Sequence, residues 1–164
     1  MKFDAIDRTK NGNISYCLWR WARNKTPFLS IVRVAFAGDY RSGSAGAPDA
    51  HFIEGMLHTV DGVWRPSAMI LDLRDLCYEW GDEMSLVLQP PTDIYAIVVS
   101  AKCEPAISTL CYGIDSKRSV LEKAHFFDAL NPAIDYVTQA LVADWNSTLT
   151  KADFITADEL RQSS

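Results

Sequence analysis

The sequence predicts one α/β domain, in which a mixed sheet begins with an N-terminal hairpin and helices pack on the sheet. Three observations lead to this prediction. Two runs of β-branched and aromatic residues lie close together near the N-terminus, two later apolar runs have the length of buried strands, and helix-like segments alternate with those strands. With 164 residues, of which 48% are hydrophobic, we expect a single domain over residues 1–146 and a polar C-terminal tail over 147–164.

The hairpin is predicted from residues 14–21 and 28–36, whose composition is typical of strands. Asn11 and Gly12 form a turn signal before the first run, and residues 24–27, Asn-Lys-Thr-Pro, separate the two runs. The simplest arrangement of two such neighbouring runs is an antiparallel pair.

The rest of the chain predicts helices that alternate with strands. The expected helices span about residues 48–62, 81–88, 105–110 and 131 onward, and the expected strands span 68–73, 94–100 and 123–127. Phe52, Met56 and Val60 are predicted to share one face of the first helix, and Asn131 is predicted to cap the last one.

The composition argues against several classes of function. The 16 basic residues are scattered and the net charge is −5, which does not fit nucleic-acid binding. No stretch approaches the roughly 18 apolar residues of a membrane span, and the N-terminus does not resemble a secretory signal. The cysteines are isolated from one another, which favours reduced thiols and a cytoplasmic location: Cys17, Cys77, Cys103 and Cys111.

The segment that follows the strand at 68–73 is the best candidate for a site. Its residues are Tyr78, Glu79, Trp80, Gly81, Asp82 and Glu83. In a sheet covered by helices, ligands and partners bind beyond the carboxyl ends of strands. Two exposed aromatic side chains beside three carboxylates are typical of a protein-binding hot spot, in which the rings anchor the partner and the acids attract a basic surface.

The chain resembles the STAS group, the sulfate-transporter and anti-sigma-factor-antagonist domains. The resemblance rests on the opening hairpin, on Met-Ile-Leu-Asp-Leu at 69–73 before a turn and a helix, and on Phe-Phe-Asp-Ala-Leu-Asn-Pro-Ala-Ile at 126–134. It implies a mixed sheet with packed helices and a regulatory role exerted by binding another protein.

One departure from that family concerns its phosphorylation switch. Regulatory members carry a phosphorylatable serine where this chain has Trp80, Gly81, Asp82 and Glu83. The two acids are interpreted in two compatible ways, as caps of the following helix or as a permanent negative patch in place of a conditional one.

A fainter resemblance is to the spiral α/β core of crotonases and Clp proteases. It implies a small enzyme or an acyl-binding protein, with the loop from Gly43 to Gly46 as a loose candidate for an oxyanion hole. A deep apolar pocket beside that loop would favour this alternative. A solid core with a protruding Trp80 turn would favour the binder.

Other chemistry-bearing residues have ordinary interpretations. His51, Glu54 and His58 share one helix face without the spacing of a zinc site, so we expect exposed or capping side chains and no metal. Cys77 and His125 form no recognisable catalytic motif. Trp19 and Trp21 share a strand face, and we expect them to be core or sheet cover and not a binding platform.

The sequence therefore predicts a non-enzymatic, cytoplasmic protein without a cofactor that binds and inhibits or regulates a protein partner with a basic surface. Two versions of this function are predicted: an immunity-type inhibitor of a cognate toxin and an anti-sigma-antagonist-like regulator. No catalytic residue is assigned, and the oligomeric state is left open.

Overall fold

The fold is built on one six-stranded sheet. The computed structural model describes residues 4–11, 13–23, 26–148 and 156–162. The strands are β1 (Asp4–Asn11), β2 (Ile14–Arg23), β3 (Thr26–Asp39), β4 (Ala68–Cys77), β5 (Tyr95–Val98) and β6 (Phe126–Phe127). They lie side by side in chain order, from β1 at one edge to β6 at the other.

The sheet is mixed, as predicted. β1, β2 and β3 pair antiparallel, and β3, β4, β5 and β6 pair parallel. The predicted hairpin is confirmed as β2 and β3, with Trp21 opposite Ile31 in its register. Gly12 and residues 24–25 of the predicted turns lie outside the described residues. Strand β1 was missed, because residues 4–11 are mostly charged or polar and show no alternation of apolar and polar residues.

Five helices of the described ranges complete the fold. They are α1 (Ala47–Trp64), α2 (Met84–Val87), α3 (Glu104–Tyr112), α4 (Leu130–Thr148) and α5 (Ala157–Gln162). A 3₁₀ turn at Gly43–Gly46 leads into α1. Two predicted starts were wrong: α2 begins at Met84 and not at Gly81, and α4 begins at Leu130, so that Asn131 lies inside it. No helix of the described residues is both long and apolar enough to cross a membrane.

The helices cover both faces of the sheet. Helices α1, α2 and α3 bury one face, where Ile53, Met84 and Ile107 pack against strand residues such as Leu71. Three helices on one face are expected when parallel strands follow one another in chain order, because their crossovers share one hand.

The second core lies on the opposite face, under α4 and α5. Trp21, Val137 and Leu160 belong to it, and Leu160 of the predicted tail is fully buried. The described part of that tail, residues 156–162, is therefore packed, whereas residues 149–155 and 163–164 lie outside the description. Trp21 is core and Trp19 is half-buried on the same face, which agrees with their predicted role as sheet cover.

Candidate functional site

The Trp80 turn, residues 78–83, lies where the sequence predicted a site, directly after the carboxyl end of β4. The chain is held there by two backbone hydrogen bonds. Tyr78 N donates to Lys102 O at 3.2 Å, and Tyr40 N donates to Cys77 O at 3.0 Å. The turn therefore starts from a fixed point between the segments that follow β3 and β5.

Tyr78 is buried, which corrects the expectation that both aromatic residues of the turn are exposed. It is 3% exposed, its hydroxyl donates to Gly81 O at 3.2 Å, and its ring meets Tyr40 edge to face with 5.1 Å between centroids. Because Tyr78 packs inside, it supports the turn and contributes no surface to it. Burial is also the main reason why the pKa of Tyr78 is raised.

Tyr40 is the second internal support, and it was not predicted from the sequence. Its hydroxyl donates to Asp82 O at 2.6 Å, and its ring lies against Gly81, where an added β-carbon would be 2.7 Å from Tyr40 Cε1. The absence of a β-carbon lets the two approach. Burial, followed by the charges around it, raises the pKa of Tyr40 well above its ordinary value.

Trp80 is the exposed aromatic residue of the turn, at 61%. One part of its ring rests on Gly43, where an added β-carbon would lie 2.9 Å from Trp80 Cη2. Gly43 also has a φ of 62°, which favours glycine, and its carbonyl accepts from Asp82 N at 3.1 Å. The turn and the 43–46 loop are thus locked together, with the outer face of the indole open.

The two acids of the turn do not cap α2, so that interpretation is wrong. Glu83 occupies the N-cap position in a left-handed conformation with a φ of 67°, and no side chain caps the helix. The Glu83 carboxylate instead lies 2.7 Å from His51 Nε2 on α1, with Glu54 3.7 Å from the other ring nitrogen. Glu79 and Asp82 are exposed. The site therefore presents carboxylates to solvent around the indole.

The base of the site is held by an ion pair between the buried Asp49 and the exposed Arg41. Asp49, in the first turn of α1, accepts from Arg41 through Nε at 2.9 Å and Nη2 at 2.6 Å, and from the Arg41 backbone N–H at 2.9 Å. Burial alone would raise the pKa of Asp49, but the hydrogen bonds from Arg41 outweigh it and lower that pKa. This pair fixes the chain between β3 and α1 beneath the turn.

The remaining sequence candidates do not form a second site. His51 and His58 are exposed on α1, as predicted. Cys77 is not an activated thiol, because burial and the neighbouring Asp39 raise its pKa. The His125 ring meets the Tyr95 ring edge to face and the Phe126 ring at a tilt. These residues line a cavity of about 270 Å³ that Cys111 also lines and Cys77 does not. All four cysteines are free.

One polar cluster was not anticipated. Asp72, in the middle of β4, is 3% exposed and accepts from both Arg33 and Arg74, while Arg33 stacks on Trp19 at 4.1 Å. The available signal was an aspartate inside an otherwise apolar strand, because a buried carboxylate requires a partner. The sequence does not reveal which arginines provide it.

Comparisons of the chain with protein-family models, with curated proteins and with solved structures found no match. The functional argument therefore rests on the geometry of the described residues.

Proposed function

We propose that this chain is a non-enzymatic protein-binding module that inhibits or regulates its partner through the Trp80 turn. The observation that carries the proposal is an indole 61% exposed on a turn whose backbone is fixed from beneath. Tryptophan is among the residues that dominate binding energy in interfaces. A rigid turn loses little conformational entropy on binding, so more of the contact energy appears as affinity.

The charges around Trp80 define the kind of partner. Glu79, Asp82 and Glu83 are exposed acids next to Trp80 in the chain, and the whole chain carries a net charge of −5. Such a surface accelerates association with a basic partner and disfavours acidic ones. A partner with a basic surface around an apolar pocket for the indole fits both features.

Two versions of this function remain from the sequence: an immunity-type inhibitor that covers a toxin's active site, and an antagonist of the STAS regulatory type. The fixed carboxylates at Asp82 and Glu83 favour the first version, because they replace a switchable phosphoserine with constant charge. Both versions place the protein in the cytoplasm.

The packing of the Gly43–Gly46 loop supports a binder over a crotonase-like enzyme. The Trp80 ring lies over Gly43, and the Gly43 carbonyl is engaged by Asp82 N. An oxyanion hole requires backbone N–H groups that point into an open substrate pocket. Here the indole fills the space next to the loop.

Affinity capture with matched variants tests the proposal. The tagged protein is compared with Trp80→Ala and with the double variant Asp82→Lys, Glu83→Lys. The control for the indole is Val63→Ala, because Val63 is 65% exposed on α1, and the control for charge is Asp115→Lys at another exposed position. Captured proteins are quantified by mass spectrometry, and affinity is then measured with the purified partner.

We expect one stoichiometric partner with the parent and both controls, and at least tenfold weaker binding by the two test variants. A partner that binds Trp80→Ala as tightly as the parent would overturn the assignment of the surface. Absence of any stoichiometric partner would favour the enzyme alternative.

A further inference from the structure

A second cavity lies on the face of the sheet opposite α1, where α4 does not reach. Its volume is about 230 Å³, and the residues that matter for its chemistry are Ser15, Cys17, Trp19, Arg33, Ala37 and Asp75. The strands β2 and β3 form its floor, since Cys17 pairs with Ala35 and Ser15 with Ala37. Small side chains in this register leave the open space.

The charged side chains at this cavity carry one net positive charge, because the Asp75 carboxylate that also lines it lies 3.5 Å from Lys102 Nζ. Arg74 binds the Asp72 carboxylate with Nε at 2.9 Å from Oδ1 and Nη2 at 2.8 Å from Oδ2. The charge of Arg74 alone therefore neutralises the charge of Asp72. Arg33 adds two further bonds to Oδ2, at 3.0 and 2.7 Å. Two guanidinium groups thus share one carboxylate, and one positive charge remains.

Arg33 is held in a position from which it can bind an anion. Its guanidinium lies between Asp72 and the ring of Trp19, 4.1 Å from the ring centroid, and its side chain is 17% exposed. Its Nε and Nη2 are used by Asp72, and no described residue accepts from Nη1. The side chain is therefore preorganised, with a donor left over at the cavity wall.

We propose that this cavity binds a small organic monocarboxylate, with its carboxylate on Arg33 and its apolar body over Cys17, Ala35 and Ala37. The volume is below the roughly 300–1,000 Å³ of pockets that enclose drug-sized ligands, which limits the ligand to a small acid. Asp75, which also lines the cavity, disfavours a second negative charge on the ligand. The site does not depend on the Trp80 turn or on a protein partner.

Benzoate is a suitable probe, and benzyl alcohol is its uncharged counterpart. Binding is followed by NMR on the Nε–Hε signal of Arg33 and the backbone amides of Cys17 and Ala37. Arg33→Gln removes the charge while Asp72 keeps Arg74, and Ala37→Leu fills the cavity while the charge remains. Arg118→Gln is the control, because Arg118 is an exposed arginine paired with Glu122 on the chain after α3.

We expect saturable binding of benzoate, at least tenfold weaker binding in Arg33→Gln and Ala37→Leu, and unchanged binding in Arg118→Gln. Benzyl alcohol should bind at least tenfold more weakly than benzoate. A phthalate titration tests the second charge, and it should give weaker binding than benzoate. The proposal is overturned if benzoate produces no saturable shift, or if Arg33→Gln binds it as well as the parent.

Discussion

The ring of Tyr40 and the backbone of Gly81 are in direct contact, so that a β-carbon on Gly81 would approach Tyr40 Cε1 to 2.7 Å and Arg41 O to 3.0 Å. This contact joins the chain after β3 to the turn after β4. The orientation of the exposed indole next to Gly81 therefore depends on a buried phenol distant in sequence.

Gly81→Ala should destabilise the protein. The added methyl group meets the Tyr40 ring and a backbone carbonyl, and such overpacking costs about 1–3 kcal/mol. Gly55→Ala is the matched control, because nothing lies within 4 Å of its added carbon on the exposed face of α1, and it should stabilise by about 0.5–1 kcal/mol. Urea unfolding measures both, and equal stability of the two variants would contradict the contact.

Asp72→Asn should lower the free energy of unfolding by about 3–5 kcal/mol at neutral pH, because it leaves two guanidinium groups around a neutral amide. Burial would raise the pKa of Asp72, but the bonds and charges of Arg74 and Arg33 hold it below its ordinary value of 3.8.

A depressed pKa in the folded state means that the stability from Asp72 is present above pH 3.8 and is lost as the pH falls through the folded value. The free energy of unfolding of Asp72→Asn should therefore depend less on pH in the acid range than that of the parent. Acid unfolding monitored by circular dichroism measures this difference. Asp128→Asn, at an exposed position, should keep the parental curve. An unaltered acid transition in Asp72→Asn would show that the cluster contributes nothing.

Tyr40→Phe should cost about 0.5–1.5 kcal/mol at neutral pH, through loss of the hydrogen bond to Asp82 O. Burial raises the pKa of Tyr40 above its ordinary value of 10.0. The stability linked to this raised pKa is complete below pH 10 and is lost as the pH rises beyond it, because the unfolded chain ionises first.

Alkaline unfolding of Tyr40→Phe should accordingly depend less on pH than that of the parent, as followed by tyrosinate absorbance together with circular dichroism. Tyr16→Phe serves as a comparison at another buried tyrosine. Ionisation of every tyrosine near pH 10 without unfolding would contradict the burial of Tyr40.

Glu83→Gly should raise stability by up to about 1 kcal/mol while it weakens binding to the partner. The left-handed conformation of residue 83 is unfavourable for a side chain with a β-carbon, and the exposed bond to His51 contributes little in return. Arg65→Gly, at the left-handed end of α1, should be stabilising without an effect on binding. Thermal unfolding and partner titration test this separation, and a clear loss of stability in Glu83→Gly would contradict it.

The elements with strong local patterns were predictable from the sequence. The composition of residues 14–21 and 28–36 predicts β2 and β3, and Pro48 predicts the start of α1. Strand β1 was not predictable in this way, because its charged residues form an edge strand whose identity comes from pairing with β2.

The location of the candidate site was predictable, but its internal supports were not. A run of apolar residues followed by Tyr-Glu-Trp-Gly-Asp-Glu shows where a strand ends and a surface begins. Whether Tyr78 points outward depends on Tyr40, and whether Glu83 caps a helix depends on His51, and both are long-range contacts. Local sequence carries no information about either.

The order of the strands has a consequence for assembly. Since each strand pairs with the one that precedes it in the chain, no strand has to insert between two that are already paired. A chain that emerges from the ribosome can extend the sheet at its growing edge, from β1 towards β6. The Trp80 turn and the Gly43–Gly46 loop that supports it are then synthesised before β5, and the bond from Tyr78 N to Lys102 O completes the turn once the chain after β5 is made. The final helices close the other face last.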